Sequence, residues 1–373
     1  MSNATGGYYP MLDGMRALAV STVLIGHLVP VQWLQKLVAY GDIGVVAFFV
    51  LSGYLITGIL LRLRDETGVS LISKVRGFFI RRSLRIFPIY YITLLALLGW
   101  GYQPVCDNAF RLLTYSLNIP GLPPAQALGQ ASHFWSLHVE EQFYLVWPFI
   151  VLLSSSRLLH GLLLLCISGG LMFKMLGPIL QLPFNPFRPL LGCIDSLGLG
   201  ALLAFYQYTD SYRQRFLPFL LTISSLSMPA FLLLTIIRFV LNIDPWYGSN
   251  YYLGIAMFLA LGLSSVALLQ YSTGGGQDGW FARLLINPLM RYIGSISYGI
   301  YVYHFFAPLV VRRLPLAVVP FGSGYILVRT LLELGFSVGV AALSFRIIER
   351  PILAFKNRIA PSGSTKMRGV IAA

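Results

Sequence analysis

Acidic residues and cysteines are scarce in this chain of 373 residues. It has 13 Asp and Glu against 27 Lys and Arg, charged residues make up only 11% of it, and there are three cysteines. Three is an odd number, and both Cys166 and Cys193 lie in apolar runs. The cysteines therefore predict neither a disulfide framework nor a metal site.

Hydrophobic residues make up 57% of the chain, and apolar segments of membrane-spanning length recur from end to end. This pattern predicts a polytopic helical membrane protein, since a transmembrane barrel would show shorter alternating segments. The net charge of +14 could suggest a nucleic-acid partner. However, the basic residues flank apolar spans, so the charge is interpreted as a determinant of orientation and no nucleic acid is expected. The N-terminus lacks the basic start of a signal peptide and is expected to be retained.

The predicted fold is all-α, a transmembrane bundle of about ten helices with both termini in the cytoplasm. Lys and Arg are more numerous in the loops assigned to the inner side, which supports this orientation. Residues 1–360 are expected to form one integral membrane domain, and residues 361–373 a disordered cytoplasmic tail. The helices are predicted near 12–34, 41–61, 86–101, 138–155, 159–181, 190–208, 217–240, 251–271, 291–312 and 323–347.

Arg16 and His27 are the first candidate site residues, because both lie in the first predicted span. Eleven residues at about 100° each amount to about 1100°, so both side chains lie on one helix face about 16 Å apart. Ionisable groups at membrane depth usually face a bundle interior or a cavity, which favours a functional pair. The alternative is a histidine that only forms a hydrogen bond between packed helices.

A cluster of arginines precedes Pro88. On a helix, Arg81 and Arg85 are four residues apart and Arg82 and Arg85 three, so their side chains converge. Guanidinium groups bind phosphate oxygens in a bidentate manner, which favours a nucleotide or pyrophosphate ligand from the cytoplasm. The alternative is a topology determinant that contacts lipid headgroups. In the preceding span, the small pair Ser52-Gly53 would let another backbone approach closely, or could be ordinary helix packing.

The run from His133 to Tyr144 lies at the entrance of the fourth predicted span. Glu140 and Tyr144 are four residues apart and share a face, whereas Glu141 points about 100° away. Two carboxylates that enter an apolar span are costly unless they are used or paired. An interfacial aromatic belt accounts for Trp135, but not for the glutamates.

Polar residues also occur in later spans. Ser297, Tyr301 and His304 follow the i, i+4, i+7 pattern of one helical stripe, and His304 is as compatible with an interhelical hydrogen bond as with catalysis. Asp195 is predicted to be a site residue or part of a structural pair. Glu333 is predicted to pair with Arg329, four residues earlier.

Across nearly its whole length the sequence resembles the membrane acyltransferase 3 family, integral membrane O-acyltransferases that modify cell-surface glycans. The resemblance rests on motifs in the same order along the chain. They are Arg16 with His27, Phe48 to Tyr54, Arg82 with Arg85, Trp135 to Tyr144, Asp195 with Gly200, Ser297 to His304, and Glu349-Arg350-Pro351. Some relatives continue into an extracytoplasmic hydrolase-like domain. This chain ends soon after the tenth predicted helix, so a second stage of acyl transfer is expected to need a separate protein.

The resemblance implies an enzyme of the bacterial inner membrane that moves an acyl group, most simply acetyl, from cytoplasmic acetyl-CoA to a sugar hydroxyl of a polysaccharide, lipopolysaccharide or lipid-linked saccharide. His27 is the expected general base, Glu140 the carboxylate that orients it, and Arg16 a further catalytic residue. Donor binding is assigned to Arg81, Arg82, Arg85 and Ser52. Acceptor binding is assigned to Trp135, Glu141, Tyr144, Asp195, Tyr301 and His304. No metal is expected, and a covalent acyl-histidine remains an alternative to direct transfer.

A second class of function also fits the intramembrane charges. Arg16, His27, Glu140 and Asp195 could form the proton relay of a secondary transporter. The sequence shows no inverted repeat and no helices broken at corresponding positions of two halves, which disfavours this alternative. A non-catalytic membrane scaffold would leave the buried histidine and carboxylates unexplained.

Overall fold

The computed structural model describes residues 8–37, 41–120, 125–242, 251–274, 279–314 and 323–359. Within these ranges the regular secondary structure is helical, and no strand occurs. The all-α prediction is therefore confirmed. The tail predicted at 361–373 lies outside the described residues.

The principal helices are numbered here in chain order. They are α1 (Pro10–Leu28), α2 (Asp42–Asp65), α3 (Leu71–Gly99), α4 (Trp135–Leu153), α5 (Ser156–Ile179), α6 (Leu190–Tyr208), α7 (Leu217–Val240), α8 (Tyr251–Thr273), α9 (Pro288–Ser295), α10 (Ser297–Tyr303) and α11 (Ser323–Ser344). Shorter helical segments lie between or after them: Gln32–Leu37, Gln103–Cys106, Ala109–Leu113, Ala125–Phe134, Asp210–Arg215, Trp280–Ile286, His304–Phe306, Ala307–Val311, Phe345–Glu349 and Arg350–Ile359.

Eight helices in the described part of the chain are long and apolar enough to cross a membrane. A ninth span is formed if α9 and the helical residues 297–311 count as one segment, which is bent by 56°. The remaining predicted span is α4, whose first half carries His138, Glu140, Glu141 and Gln142 and is correspondingly less apolar. Each of the ten predicted spans thus falls on a helix, as expected for a multi-pass membrane protein.

Three predicted boundaries are wrong in ways that affect the site. Helix α1 ends at Leu28, six residues before the predicted end, so His27 lies in its last turn and not deep within the span. Helix α3 begins at Leu71, and the arginine cluster is therefore inside a continuous helix of 29 residues. The ninth predicted span is broken at Ile296 and again after Tyr303, where a 3₁₀ turn begins at His304.

The centre of the bundle is built on the contact between α2 and α6. A Cβ atom at Gly53 would fall on the carbonyl oxygen of Leu197, and one at Gly200 would fall on that of Val50. The close backbone approach predicted for Ser52-Gly53 is therefore present at Gly53. In their most apolar stretches, α6 and α1 are 78% and 72% buried, compared with 22% for α5. The central helices carry the candidate site, whereas α5 presents its apolar surface to the outside.

Candidate active site

A cavity of about 110 Å³ lies between α1, α2, α3, α4 and α10. Its charged lining residues are three arginines and one glutamate, and we call it the arginine cavity. It is lined by Arg16, Val45, Phe48, Phe49, Leu51, Ser52, Leu55, Ile56, Arg82, Arg85, Ile86, Ser136, Leu137, Glu140, Tyr144, Ser297, Tyr298 and Tyr301. The sequence-predicted residues Arg16, Ser52, Arg82, Arg85, Glu140, Tyr144 and Tyr301 are therefore brought together in one place.

The arginines reach this cavity from two helices. Arg82 and Arg85 are one turn apart on α3, so the helix itself directs both into the cavity. Arg16 is buried on α1, where its Nη1 donates to Oδ1 of Asp13 at 2.8 Å. Arg81 does not line the cavity, because its guanidinium turns back along α3 toward Gly77. The lining itself holds three guanidinium groups and one carboxylate, which suits an anionic ligand, and Asp13, Glu141 and Glu349 lie close enough to balance the arginines in its absence.

Polar groups fix the opposite wall of the arginine cavity. Ser52 Oγ and the hydroxyl of Tyr144 are 2.6 Å apart, and Arg82 lies 5.8 Å from the centre of the Tyr144 ring. Glu140 lies within electrostatic range of both Arg82 and Arg85. Glu140 also forms hydrogen bonds with Ser52 and Tyr144, so this wall of the cavity is a connected polar group.

The structure pairs His27 with a residue that is 277 positions away in the chain. His27 Nδ1 lies 3.0 Å from His304 Nε2, and His304 Nδ1 lies 2.7 Å from the carbonyl oxygen of Tyr301. A carbonyl only accepts hydrogen bonds, so Nδ1 of a neutral His304 carries the proton and its Nε2 is an acceptor. His27 must then donate from Nδ1, which leaves its Nε2 unprotonated and able to act as a base.

Nε2 of His27 faces Gly41, a residue without a side chain. A Cβ atom on Gly41 would lie 3.3 Å from His27 Nε2. Gly41 also has a φ of 90°, in the left-handed region that other residues avoid, just before α2 begins. Among the described residues, no hydrogen-bond partner occupies Nε2. Gly41 therefore lets the chain pass close to this edge of the ring, where a larger residue would crowd Nε2.

His133 is a site residue that the sequence reasoning missed. Its ring stacks on Phe305 at 4.8 Å between centroids, and it lies 5.1 Å from the ring of His304. Phe305 in turn contacts His27 edge-on at 4.5 Å. His27, His133 and His304 thus form one group, which we call the histidine cluster. The available signal was the position of His133 two residues before Trp135, in the same run as Glu140.

The predicted contact of Glu140 with His27 does not occur among the described residues. Glu140 lies in the arginine cavity, and His304 takes the position beside His27 that the sequence analysis gave to Glu140. Glu141 lines neither that cavity nor the histidine cluster, and its buried Oε1 has no hydrogen-bond partner in the described part of the chain.

The remaining acidic candidates form ion pairs. Asp195 Oδ2 accepts from Lys174 Nζ at 2.5 Å, and both side chains are fully buried. Of the two predicted roles for Asp195, the structure thus shows the structural pair. The predicted pair of Glu333 and Arg329 is confirmed, with Nε and Oε1 2.8 Å apart. Lys174 was missed, although a lysine in the middle of an apolar span is itself a signal.

The arginine cavity and the histidine cluster lie next to each other. Tyr301 lines the cavity with its side chain, while its backbone carbonyl holds His304. Its hydroxyl is 2.5 Å from Ser136 Oγ and donates to the carbonyl of His133 at 3.0 Å. The arginine cavity is therefore linked to His27 through Tyr301 and His304. This combination suits group transfer from a phosphate-bearing donor to a hydroxyl.

These features define a membrane-embedded class of transferase, and comparison with known proteins agrees. The family model described as "Acyltransferase domain" matches residues 9–345. The chain belongs to this family, the membrane acyltransferase 3 family. The resemblance found in the sequence is thereby confirmed.

Named relatives fit this family. The peptidoglycan O-acetyltransferase OatA of Listeria monocytogenes is 30% identical over 92% of this chain and 56% of its own length. A "putative O-acetyltransferase" of Staphylococcus aureus is 29% identical over 92% of this chain and 57% of its own. A "putative peptidoglycan O-acetyltransferase", YrhL of Bacillus subtilis, is 28% identical over 92% and 55%. The chain thus spans little more than half the length of these relatives. No solved structure matches it.

Proposed function

We propose that this protein is an O-acetyltransferase that moves an acetyl group from acetyl-CoA to a hydroxyl of a cell-surface glycan or lipid-linked saccharide. The observation that carries the proposal is the arginine cavity, in which three guanidinium groups from two helices meet beside the histidine cluster. The family membership and the relatives named O-acetyltransferases support the reaction type.

The donor binds with its phosphates on Arg82, Arg85 and Arg16. Charge-assisted hydrogen bonds from guanidinium groups are strong and suit phosphate geometry, and no lysine lines this cavity. A cavity of about 110 Å³ is too small for a whole nucleotide cofactor, so it holds only part of the donor. Ser52, Tyr144 and Tyr301 line the route from the arginines toward His304 and His27.

The chemical step is a single displacement at the thioester carbon. His27 Nε2 takes the proton of the sugar hydroxyl while the hydroxyl oxygen bonds to the acyl carbon. The carbon–sulfur bond breaks, and the thiolate that leaves takes up one proton. His304 holds the His27 ring in the required tautomer, as a carboxylate does in a triad. In a covalent variant, Nε2 attacks the thioester and expels the thiolate, and the sugar hydroxyl then attacks the acyl carbon, breaks its bond to Nε2 and gives its proton to the imidazole that leaves.

The direction of α1 fits a transfer across the bacterial inner membrane. If the N-terminus is cytoplasmic, Arg16 lies toward the cytoplasmic end of α1 and His27 at the opposite end. Acyl-CoA would then reach the arginines from inside, and the saccharide would meet His27 from outside. The enzyme would need no metal for this reaction, because the base and the donor site are supplied by side chains.

The test is release of free coenzyme A thiol from acetyl-CoA by the purified full chain in detergent. We expect release that depends on added peptidoglycan fragments, together with a gain of one acetyl mass on the saccharide. A protein that binds acetyl-CoA but forms no acetylated saccharide from peptidoglycan, lipopolysaccharide or polysaccharide fractions would overturn the proposal.

A further inference from the structure

A second cavity of about 240 Å³ lies against the N-terminal part of α2, next to the arginine cavity. Its polar lining includes Asp42, Asn185 and Arg188, and its aromatic lining includes Trp135. Asp42 is the first residue of α2, and Asn185 and Arg188 lie in the segment between α5 and α6. None of these polar residues was singled out as a binding residue from the sequence, because they lie in separate parts of the chain.

The chemistry of the second cavity differs from that of the arginine cavity. One guanidinium and one carboxylate leave no net charge, and Asp42 lies within electrostatic range of Arg188. Asp42 offers acceptors, Arg188 offers donors, and the Asn185 amide offers both. The guanidinium of Arg188 lies over one face of the Trp135 ring, 4.2 Å from its centre, so the polar and aromatic parts of the lining are in direct contact. A sugar ring is complementary to such a lining, because its hydroxyl groups donate and accept hydrogen bonds while the face of the ring is apolar.

Only one layer of side chains separates the two cavities. Val45 and Phe49 of α2 line both of them. The Phe49 and Trp135 rings meet edge-on, with their centroids 6.0 Å apart. His27 lies at the same end of α2 as the second cavity, because its Nε2 faces Gly41 and the next residue is Asp42. His27 is also within electrostatic range of Arg188.

We propose that the second cavity binds the acceptor saccharide, with Asp42, Asn185 and Arg188 as hydrogen-bonding groups and Trp135, whose ring Arg188 covers on one face, as part of the apolar wall against which the sugar packs. This assignment rests on the proposed acetyl transfer, which it extends to the second substrate. It places the donor and the acceptor in cavities that share Phe49 as a lining residue, with His27 at the same end of α2 as the acceptor. The positive charge of the arginine cavity makes that site a poor match for a neutral sugar.

Cysteine protection tests the assignment without requiring turnover. Ser52 lines only the arginine cavity and Ser196 only the second cavity, so Ser52→Cys and Ser196→Cys form a matched pair. Both are made in a chain whose three natural cysteines are replaced by Ala, and both are treated with a small methanethiosulfonate reagent. The probes are a soluble disaccharide-peptide fragment of peptidoglycan and coenzyme A.

We expect the saccharide to slow labelling of Ser196→Cys several-fold and leave Ser52→Cys unchanged, and coenzyme A to do the reverse. Protection of Ser196→Cys by coenzyme A alone would assign the second cavity to the donor and overturn the proposal. A Ser196→Cys thiol that never labels, in a protein that still acetylates the fragment, would also overturn it, because the cavity would then be closed to substrate.

Enzyme kinetics provide a second, independent test of the acceptor site. Arg188→Gln and Asp42→Asn should raise the KM for the saccharide about tenfold or more while the affinity for coenzyme A stays at the parent value. The control is Arg312→Gln, an exposed arginine that lines neither cavity. An unchanged KM in both variants contradicts the acceptor site but leaves the acetyl transfer intact. Failure of the parent protein to acetylate any saccharide contradicts the proposed function itself, so the two failures are distinguishable.

Discussion

The arginine cavity and the histidine cluster are adjacent but chemically opposite. The cavity gathers three guanidinium groups and a carboxylate, whereas the cluster consists of aromatic rings that hold one another through stacking and hydrogen bonds. Charged side chains thus line the cavity where an anionic donor would bind, whereas the residues in contact with His27 are aromatic rings. The comparison indicates that donor binding and proton transfer are carried by separate groups, which substitutions should be able to separate.

The largest effect is expected from the histidine cluster. His27→Ala removes the proposed base and should lower kcat by about 10²–10⁴-fold, while the affinity for coenzyme A stays unchanged. Acetylated product measured by mass spectrometry gives the rate, and calorimetry gives the affinity. His160→Ala is the control, because His160 bonds to Tyr206 and lines neither cavity. Parent-level transfer by a well-folded His27→Ala protein would show that the base lies elsewhere.

The arginine cavity should respond in the opposite way. Arg82→Ala or Arg85→Ala removes charge-assisted hydrogen bonds and should weaken coenzyme A binding about ten- to a hundredfold. Lys at either position should recover only part of the affinity, since it keeps the charge but loses the planar fork. Arg81→Ala is the matched control, because Arg81 is adjacent to Arg82 and one turn from Arg85 but lies outside the cavity. If all three variants weaken binding equally, the arginines act only as general positive charge.

The smallest effect is expected at the residue that positions the base. His304→Phe keeps an aromatic ring but loses both hydrogen bonds, and it should lower kcat about tenfold with little change in the KM for acetyl-CoA. His304→Gln retains an acceptor for His27 Nδ1 and should recover part of the rate. Equal losses in the two variants, or a loss that appears only in thermal stability, would reduce His304 to a packing residue.

Much of the fold could be predicted from the sequence, because each span is long and apolar. The errors concern places where polar residues interrupt that pattern. The predicted start of α3 is 15 residues too late, because Lys74, Arg76 and the arginine cluster lower the hydropathy of the first half of this helix. The prediction continues α1 to Leu34, whereas the backbone already leaves the helical conformation at Val29. Hydropathy alone cannot distinguish the end of a helix from an apolar turn.

The candidate site was predicted only in part, for a different reason. Residues one turn apart on a single helix, such as Arg82 and Arg85, could be placed together by helical geometry. The pair of His27 and His304 could not, since it depends on how α1 packs against the segment after α10. Glu140 was expected to orient His27 by analogy with the carboxylate of a catalytic triad. The structure shows that a carbonyl-bonded histidine can fill the same position.

The contact between α2 and α6 has a further consequence for substrate selection. Because Gly53 and Gly200 bring the two backbones together, α2 cannot slide along α6 without driving a carbonyl oxygen into the opposing chain. Asp42 and Ser52 lie ten residues apart on α2, which at the rise of an α-helix is about 15 Å. Helix α2 therefore fixes the distance between the groups that it contributes to the two cavities. The carbonyl carbon of any acyl-CoA is bonded to the coenzyme A sulfur, so a fixed distance between the cavities would fix where that carbon meets His27, and the acyl group would be selected by the room beyond it.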